Sequence, residues 1–276
     1  MSELTLVTGG GGKTGRRIVE GLKAQGRQVR VGGRSAAPRF DWEDRSTWGA
    51  ALEGVSAVYV CFQPDLAVPQ ALEIVTAFYA QAMAAGATKL VLLSGRGEPE
   101  AQEAETALMA LDVDWTVLRA SWFSQNFSEA FFLEPLQAGA LPLPVGAVAE
   151  PFLDVDDVAE IAIQALTGPR HSRRLYDLTG PRALSFQQAV EEIAAAAGRD
   201  IRFVSVPAPD YRAAMAEVGT PDEVIDLTLY LFTTVLDGRN TQVADGVMQA
   251  LGRPPRDFAD YATRTAATGV WGGEHV

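Results

Sequence analysis

A short apolar run, Leu4-Thr5-Leu6-Val7-Thr8, empties directly into Gly9-Gly10-Gly11-Gly12-Lys13-Thr14-Gly15 and then into a helical pattern. Glycine is needed where a strand must turn sharply into a helix and where main-chain N–H groups must reach a pyrophosphate with no Cβ in the way. The helix that starts near Lys13 aims its positive end at the same charge. Gly9, Gly12 and Gly15 occupy the three fixed places of that cradle. Ile18, Val19 and Leu22 give the helix an apolar face, and Gly26 then Gln28-Val29-Arg30-Val31 supplies a second strand, which completes a unit of about 30 residues. Two other readings compete. One is a tight turn with no ligand; the other is a nucleoside-triphosphate loop, because Gly12-Lys13-Thr14 matches the end of that motif. The second fails at its start, where the place of the first glycine is held by Val7 inside the strand.

The end of the second strand decides which dinucleotide fits. A carboxylate there would bind a free ribose 2′-hydroxyl, whereas this chain reads Gly32-Gly33-Arg34-Ser35, with Asp41 as the first acid available. The fork of donors on Arg34 suits a 2′-phosphate, and Ser35 adds a hydroxyl. The expected cofactor is therefore NADP(H). The plainer alternative makes Arg34 a solvated loop residue, and Lys13 is either a second phosphate contact or a residue of an exposed first turn.

With 276 residues and 47% hydrophobic content, the chain is long enough for one large domain, or a main domain with a smaller lobe. No segment reaches the length of a membrane span. Met1-Ser2-Glu3 leads straight into the first strand without the basic and apolar regions of a signal peptide, so a cytoplasmic location is expected. Cys61 is the single cysteine, which excludes an internal disulfide framework and cysteine-rich metal sites; following an apolar strand, it reads as a buried or pocket-wall residue rather than a nucleophile. A net charge of −12 argues against nucleic acid as a partner. The one basic cluster, Arg170, Arg173 and Arg174 around His171, reads as a solvated loop.

Further strand and helix patterns alternate: a short helix from Ser46, strands at Ala57 to Phe62, Lys89 to Ser94 and Trp115 to Arg119, and helices carrying Ala71, Val75, Phe78 and Ala82, then Glu100 to Ala110. Such alternation predicts an α/β fold, a Rossmann-type doubly wound parallel sheet, with ligands beyond the carboxyl ends of the strands. After about Asn126 the texture changes. Phe127, Phe131, Phe132 and Leu133 suggest one aromatic-rich helix, and Leu141 to Val145 an extended stretch. A helix is expected near Asp156, a strand at Arg174 to Leu178, and a helix capped by Ser185 that runs to Ala197. Later starts fall at Pro209-Asp210, Pro221-Asp222, Asn240 and Pro254-Pro255. The expected organisation is a nucleotide-binding domain over 1–126 and a smaller, mainly helical substrate lobe over 127–276, part of which (about 151–180) returns to the main sheet.

Much of the familiar acid–base chemistry is missing. A Tyr with a Lys four residues later is the usual proton donor of short-chain dehydrogenases, but the lysines are Lys13, Lys23 and Lys89, and four residues before them stand Gly9, Val19 and Ala85. His171 and His275 are the only histidines, so Ser-His-Asp hydrolysis and histidine-based metal sites are poorly supported. Ser94 lacks the first glycine of a nucleophile elbow. Asp154, Asp156 and Asp157 are better explained by helix capping than by calcium, and no metal is expected.

Val7-Thr8-Gly9 with Gly12 and Gly15, Gly33-Arg34-Ser35, Phe40-Asp41-Trp42 with Thr47-Trp48, Val91-Leu92-Leu93-Ser94 and the run Trp115 to Phe127 together resemble the NmrA-like atypical short-chain dehydrogenase/reductases. The nearest likeness is to the festuclavine and agroclavine dehydrogenases of ergot-alkaloid pathways and their bacterial relatives. The resemblance covers nearly the whole chain and is specific for the family, not for a substrate. It implies that Gly9, Gly12, Lys13, Thr14 and Gly15 hold the pyrophosphate, with Thr8 also binding cofactor and Arg34 and Ser35 on the 2′-phosphate. It also implies Asp41 and Trp42 by the adenine, Phe62, Gln63 and Pro64 by the ribose, and Ser94, Ser121, Trp122 and Phe123 near the nicotinamide. Two departures stand out: Ala120 where a Pro often follows the Leu-Arg pair, and no histidine between Ala101 and Ala110, where Glu105 remains as a polar group.

The function expected is an NADPH-dependent reductase that transfers hydride to a small hydrophobic conjugated substrate, an iminium or imine, quinone or enone, in secondary metabolism. Such acceptors spread the incoming charge themselves, so positioning in a dry pocket supplies much of the rate. Trp122, Phe123, Asn126 and Phe127 are the expected substrate contacts, with core packing the rival reading for Phe127 and Phe131. Ser94, Trp122 and Glu105 are the candidates for catalysis. A non-catalytic NADP(H)-binding redox sensor is the alternative, and a monomer or homodimer the expected assembly.

Overall fold

The computed structural model describes residues 3–272, and His275 lies outside the described residues. In chain order the first elements are β1 (Leu4–Thr8), α1 (Lys13–Ala24), β2 (Gln28–Gly32), α2 (Trp48–Leu52), β3 (Val55–Val60), α3 (Ala71–Ala84), β4 (Lys89–Gly95), α4 (Pro99–Met109) and β5 (Asp114–Ala120). Then come α5 (Leu133–Gln137), β6 (Ala140–Leu143), β7 (Ala149–Glu150), α6 (Val155–Thr167), β8 (Arg174–Leu178), β9 (Leu184–Ser185), α7 (Phe186–Ala197) and β10 (Arg202–Ser205). The chain closes with α8 (Ala208–Glu217), α9 (Asp222–Tyr230), α10 (Gly246–Leu251) and α11 (Phe258–Ala266).

These elements form two compact units. The first comprises residues 3–120, Val155–Leu178 and Gly246–Arg253; the second comprises Ser121–Asp154, Thr179–Asp245 and 254–272. The boundary falls between Ala120 and Ser121 rather than after Asn126. The chain also re-enters the first unit twice, because α10 packs on β8 and α6.

The first unit is a six-stranded sheet, parallel throughout, in the order β2-β1-β3-β4-β5-β8, so the order in which strands are added reverses between β1 and β3. Its central strands are mostly apolar because helices cover both faces. On one face Trp48, Phe78, Tyr79, Ala104 and Leu108 of α2, α3 and α4 bury Leu6, Val58, Leu90, Leu92 and Val117. Full burial of a ring such as Phe78 stabilises by roughly 1.5–3 kcal/mol. Elsewhere α1 packs against α6, where Ile163 lies so close to Gly21 that a Cβ there would collide with it.

The second unit is organised around aromatic rings. Phe127, Phe132, Phe152, Phe186, Phe232 and Phe258 share one core, and the Trp271 indole N–H donates to the Phe127 carbonyl at 2.8 Å. Ser185 and Gln188 close a capping box at the start of α7, and Gly198 ends that helix in the left-handed region. The single aromatic helix expected over 127–133 is corrected to a 3₁₀ turn at Ser124–Phe127 followed by the short α5. The helix expected from Asn240 begins at Gly246, and the one expected from Pro254-Pro255 begins at Phe258, where the Asp257 side chain accepts from the Ala259 N–H. Among the described residues no helix is long and apolar enough to cross a membrane.

Candidate active site

Strand β1 ends in a glycine turn whose shape is set by main chain. Gly9 stands at φ +62°, a left-handed conformation, and its carbonyl accepts from the Gly12 N–H at 2.8 Å. Gly15 presses directly on that carbonyl, so a Cβ at this position would collide with it. Gly12 caps α1 with no side chain, and no acid stands in the first turn, so the positive end of the helix is left open to an anion. Beneath the turn Thr8 and Thr14 are buried and occupied. The Thr8 hydroxyl donates to the Tyr59 carbonyl at 2.9 Å and accepts from the Cys61 N–H at 2.8 Å, while Thr14 accepts from the Tyr59 hydroxyl at 3.0 Å. Both lock β1 and α1 to β3, so their hydroxyls hold the cradle in shape.

Beside the turn, a cavity of about 920 Å³ is lined by Gly11, Gly33, Arg34, Ser35 and the length of β2. Arg34 and Ser35 are exposed there, and among the described residues Arg34 has neither a hydrogen bond nor an ion pair. An open helix end followed by an unpaired guanidinium fits a pyrophosphate and a second, separate phosphate.

The residues expected around adenine and ribose sit differently. The Trp42 ring is 6% exposed, packs edge-on against Phe40 and Phe78, and donates its N–H to the Cys61 carbonyl at 3.1 Å. It belongs to the core of the first unit, where buried Phe62 lies tilted against it at 5.1 Å. The Asp41 carboxylate is engaged by Arg39 at 2.6 Å. Gln63 and Pro64 are exposed. Burial pushes the Cys61 thiol up to about 11, so it is a poor nucleophile.

Past β4 and β5 the first unit carries a buried polar network. Ser94 donates to Glu105 Oε1 at 2.6 Å, and Arg119 grips the same carboxylate through Nε at 2.9 Å and through Nη2. Ser94 pairs in register with Arg119, and Arg119 with Asp177. Glu105 is 1% exposed, and its hydrogen bonds hold the Arg119 guanidinium firmly protonated. In the same unit Arg170, Arg173 and Arg174 are exposed at the turn into β8, as a solvated loop requires, but His171 among them is not. It is fully buried, with Nδ1 against the Tyr176 hydroxyl at 2.9 Å, and burial lowers its pKa.

The remaining expected site residues belong to the second unit. Ser121 donates to buried Glu150 at 2.6 Å. Trp122 is half-buried, tilted over Phe232 at 5.1 Å and edge-on to Phe186 at 5.8 Å. Phe232 rides on a π-helical turn, Leu231–Val235, a feature common at functional sites. Phe123 pairs with Leu153 through an isolated bridge, and Asn126 is half-buried. Phe127 has no accessible surface, so its expected role as a substrate contact is corrected to core packing. Phe131, by contrast, is 56% exposed. Asp154 is fully engaged by Gln125 and Arg264, each at 2.7 Å.

Asp65 and Glu98 were missed by sequence reasoning. They stand on the loops after β3 and β4; Asp65 accepts from the Ala67 N–H at 2.9 Å, and burial raises the pKa of both acids. No local spacing signals the pair, because each acid is unremarkable in its own loop.

No family model matches the chain. Among known proteins it is 31% identical to the agroclavine dehydrogenase of Claviceps fusiformis, over 94% of this chain and 96% of that one. It is 29% identical to an NAD(P)H azoreductase of Xenophilus azovorans, over 96% and 98%. Among solved structures, the NADPH complex of an Escherichia coli NADPH-dependent quinone oxidoreductase superposes with a TM-score of 0.78 at 20% identity, covering 94% of this chain and 99% of that one. The full-length likeness, the parallel sheet and the glycine cradle agree: the chain belongs to the NmrA-like atypical short-chain dehydrogenase/reductases and is an oxidoreductase that uses NADP(H).

Proposed function

We propose that this oxidoreductase reduces a small, flat, hydrophobic conjugated acceptor with NADPH and does so without a Tyr-Lys dyad. The observation that carries the reading is the uncapped start of α1 followed by the unpaired Arg34 on its cavity, a pair of anion sites suited to a 2′-phosphorylated dinucleotide. The relatives named for azo and clavine chemistry support an acceptor with extended conjugation. Trp122, half-exposed on a bed of Phe186 and Phe232, offers a face on which a flat ring stacks.

The test is NADPH oxidation by purified protein against quinones, azo dyes, enones and cyclic iminium ions. Turnover of at least one class is expected, and Trp122→Ala should raise KM for that acceptor more than it lowers kcat. Tight NADPH binding with no turnover across the panel would overturn the reading in favour of a sensor.

A further inference from the structure

Two kinds of glycine line the joint between β1 and β2. Gly10 and Gly32 serve the fold: the Gly10 N–H donates to the Gly32 carbonyl at 3.2 Å, and a Cβ on Gly10 would stand 2.7 Å from Val31 Cγ1 and one on Gly32 3.1 Å from the Thr8 Cα. Gly11 and Gly33, the next residue on each side of that hydrogen bond, are different. A Cβ built on either meets no atom within 4 Å, and neither holds a left-handed φ. Both open onto the cavity of about 920 Å³ that Arg34 and Ser35 line. Beyond Gly33 the chain folds into a tight turn. The Gly33 carbonyl accepts from the Ala36 N–H at 3.1 Å and from the Phe40 N–H at 3.0 Å, which sets Arg34 and Ser35 at the corner. The cavity wall continues in Ala36 and Ala37.

Glycine at such a place costs stability, since an alanine that fits the backbone would restrict the unfolded chain and leave less entropy to be lost on folding. The fold gains nothing from the missing side chain at residue 11 or 33. What the two glycines keep clear is space, and there the main chain can come close to a ligand. Their neighbours decide which ligand. Gly12, the bare N-cap of α1, follows Gly11 directly, and the unpaired Arg34 follows Gly33 directly, so each glycine adjoins one of the two anion sites. In NADP(H) the ribose of the adenosine half joins the pyrophosphate to the 2′-phosphate and carries the adenine on the same ring.

We propose that Gly11 and Gly33 are specificity-determining residues for the cofactor: they keep the cavity clear for the adenosine half of NADP(H), and a side chain at either position excludes the 2′-phosphorylated adenosine while the free protein folds as before. This rests on the assignment of Arg34 to the 2′-phosphate above. Gly15 and Gly11 thereby differ in kind. Gly15 serves the turn, and through the turn the cofactor; Gly11 serves the cofactor alone.

Gly11→Ala and Gly33→Ala, with the larger Gly11→Leu and Gly33→Leu, test this. The probes in calorimetric titrations are adenosine 2′,5′-bisphosphate, adenosine 5′-monophosphate and NADPH, and the melting temperature of the ligand-free protein is the second readout. Wild type should bind the 2′,5′-bisphosphate more tightly than the 5′-monophosphate. Each alanine should weaken the bisphosphate and NADPH about tenfold, and each leucine further, while the melting temperature of the ligand-free alanine variants stays unchanged or rises. Variants that bind both probes as wild type does would overturn the inference and leave the Arg34 assignment standing. A loss of affinity in the alanine variants matched by a fall in melting temperature would also overturn it, because these glycines would then be requirements of the fold. Wild type that does not distinguish the bisphosphate from the monophosphate would fail the Arg34 assignment itself and take the inference with it.

Discussion

Past β1 and β2 the site is built from main chain, with Gly12 leaving α1 uncapped and Gly15 pressed on the Gly9 carbonyl. Past β3, β4 and β5 the same edge of the sheet is built from side chains, the Ser94–Glu105–Arg119 network and the acids Asp65 and Glu98. The first region presents positive backbone ends to an anion; the second buries acids, with Glu105 shared between Ser94 and Arg119. Main-chain geometry comes from neighbours in sequence, whereas a buried charge network requires segments that only the fold brings together. The two regions should accordingly fail in different ways when altered.

The largest expected effect lies in the side-chain region. Glu105→Ala leaves Ser94 and the Arg119 guanidinium without their shared acceptor, and loss of one partner of a buried ion pair costs about 3–5 kcal/mol. Chemical denaturation should show this as a lowered midpoint, with Glu105→Gln milder. Gly15→Ala tests the main-chain region: overpacking against Gly9 costs roughly 1–3 kcal/mol, which is expected chiefly as a tenfold to hundredfold loss of NADPH affinity. If Gly15→Ala bound NADPH normally, the contrast between the regions would collapse. Arg34→Glu should weaken NADPH by roughly 1.5–3 kcal/mol, the range for hydrogen bonds to charged groups, while leaving NADH affinity nearly unchanged in competition titrations. His171 gives the smallest effect. Because burial depresses its folded pKa, its stabilising contribution is present above its ordinary value near 6.5 and is lost as pH falls through the lower folded value. The acid limb of the wild-type stability curve should therefore be steeper than that of His171→Asn, by on the order of 1 kcal/mol or less.

The same contrast decides what was legible beforehand. Gly9 to Gly15, the strand at Arg174 to Leu178 and the Ser185 cap were readable because each signal lies within a few consecutive residues. The aromatic run after Asn126 misled because helical spacing cannot tell which ring turns inward: Phe127 and Phe132 are buried while Phe131 points out, and Pro135 sits in a helix of a single turn or so. Trp42 carried a family-level expectation of adenine contact, and no local spacing signalled that its indole N–H satisfies the Cys61 carbonyl in the core. The basic cluster around His171 looked solvated, yet His171 itself is tied to Tyr176 and Gln164. Asp65 and Glu98 were illegible for the deepest reason: the burial that shifts both acids is a product of strand order, in which β3 and β4 lie side by side.

The most direct test of the central claim is a fluorescence titration of the purified protein with NADPH and, separately, NADH, followed by addition of a quinone to the saturated sample. Preferential binding of NADPH, with loss of its fluorescence on quinone addition, is the predicted result. Equal or stronger binding of NADH, or an NADPH signal that persists with every acceptor, would contradict it.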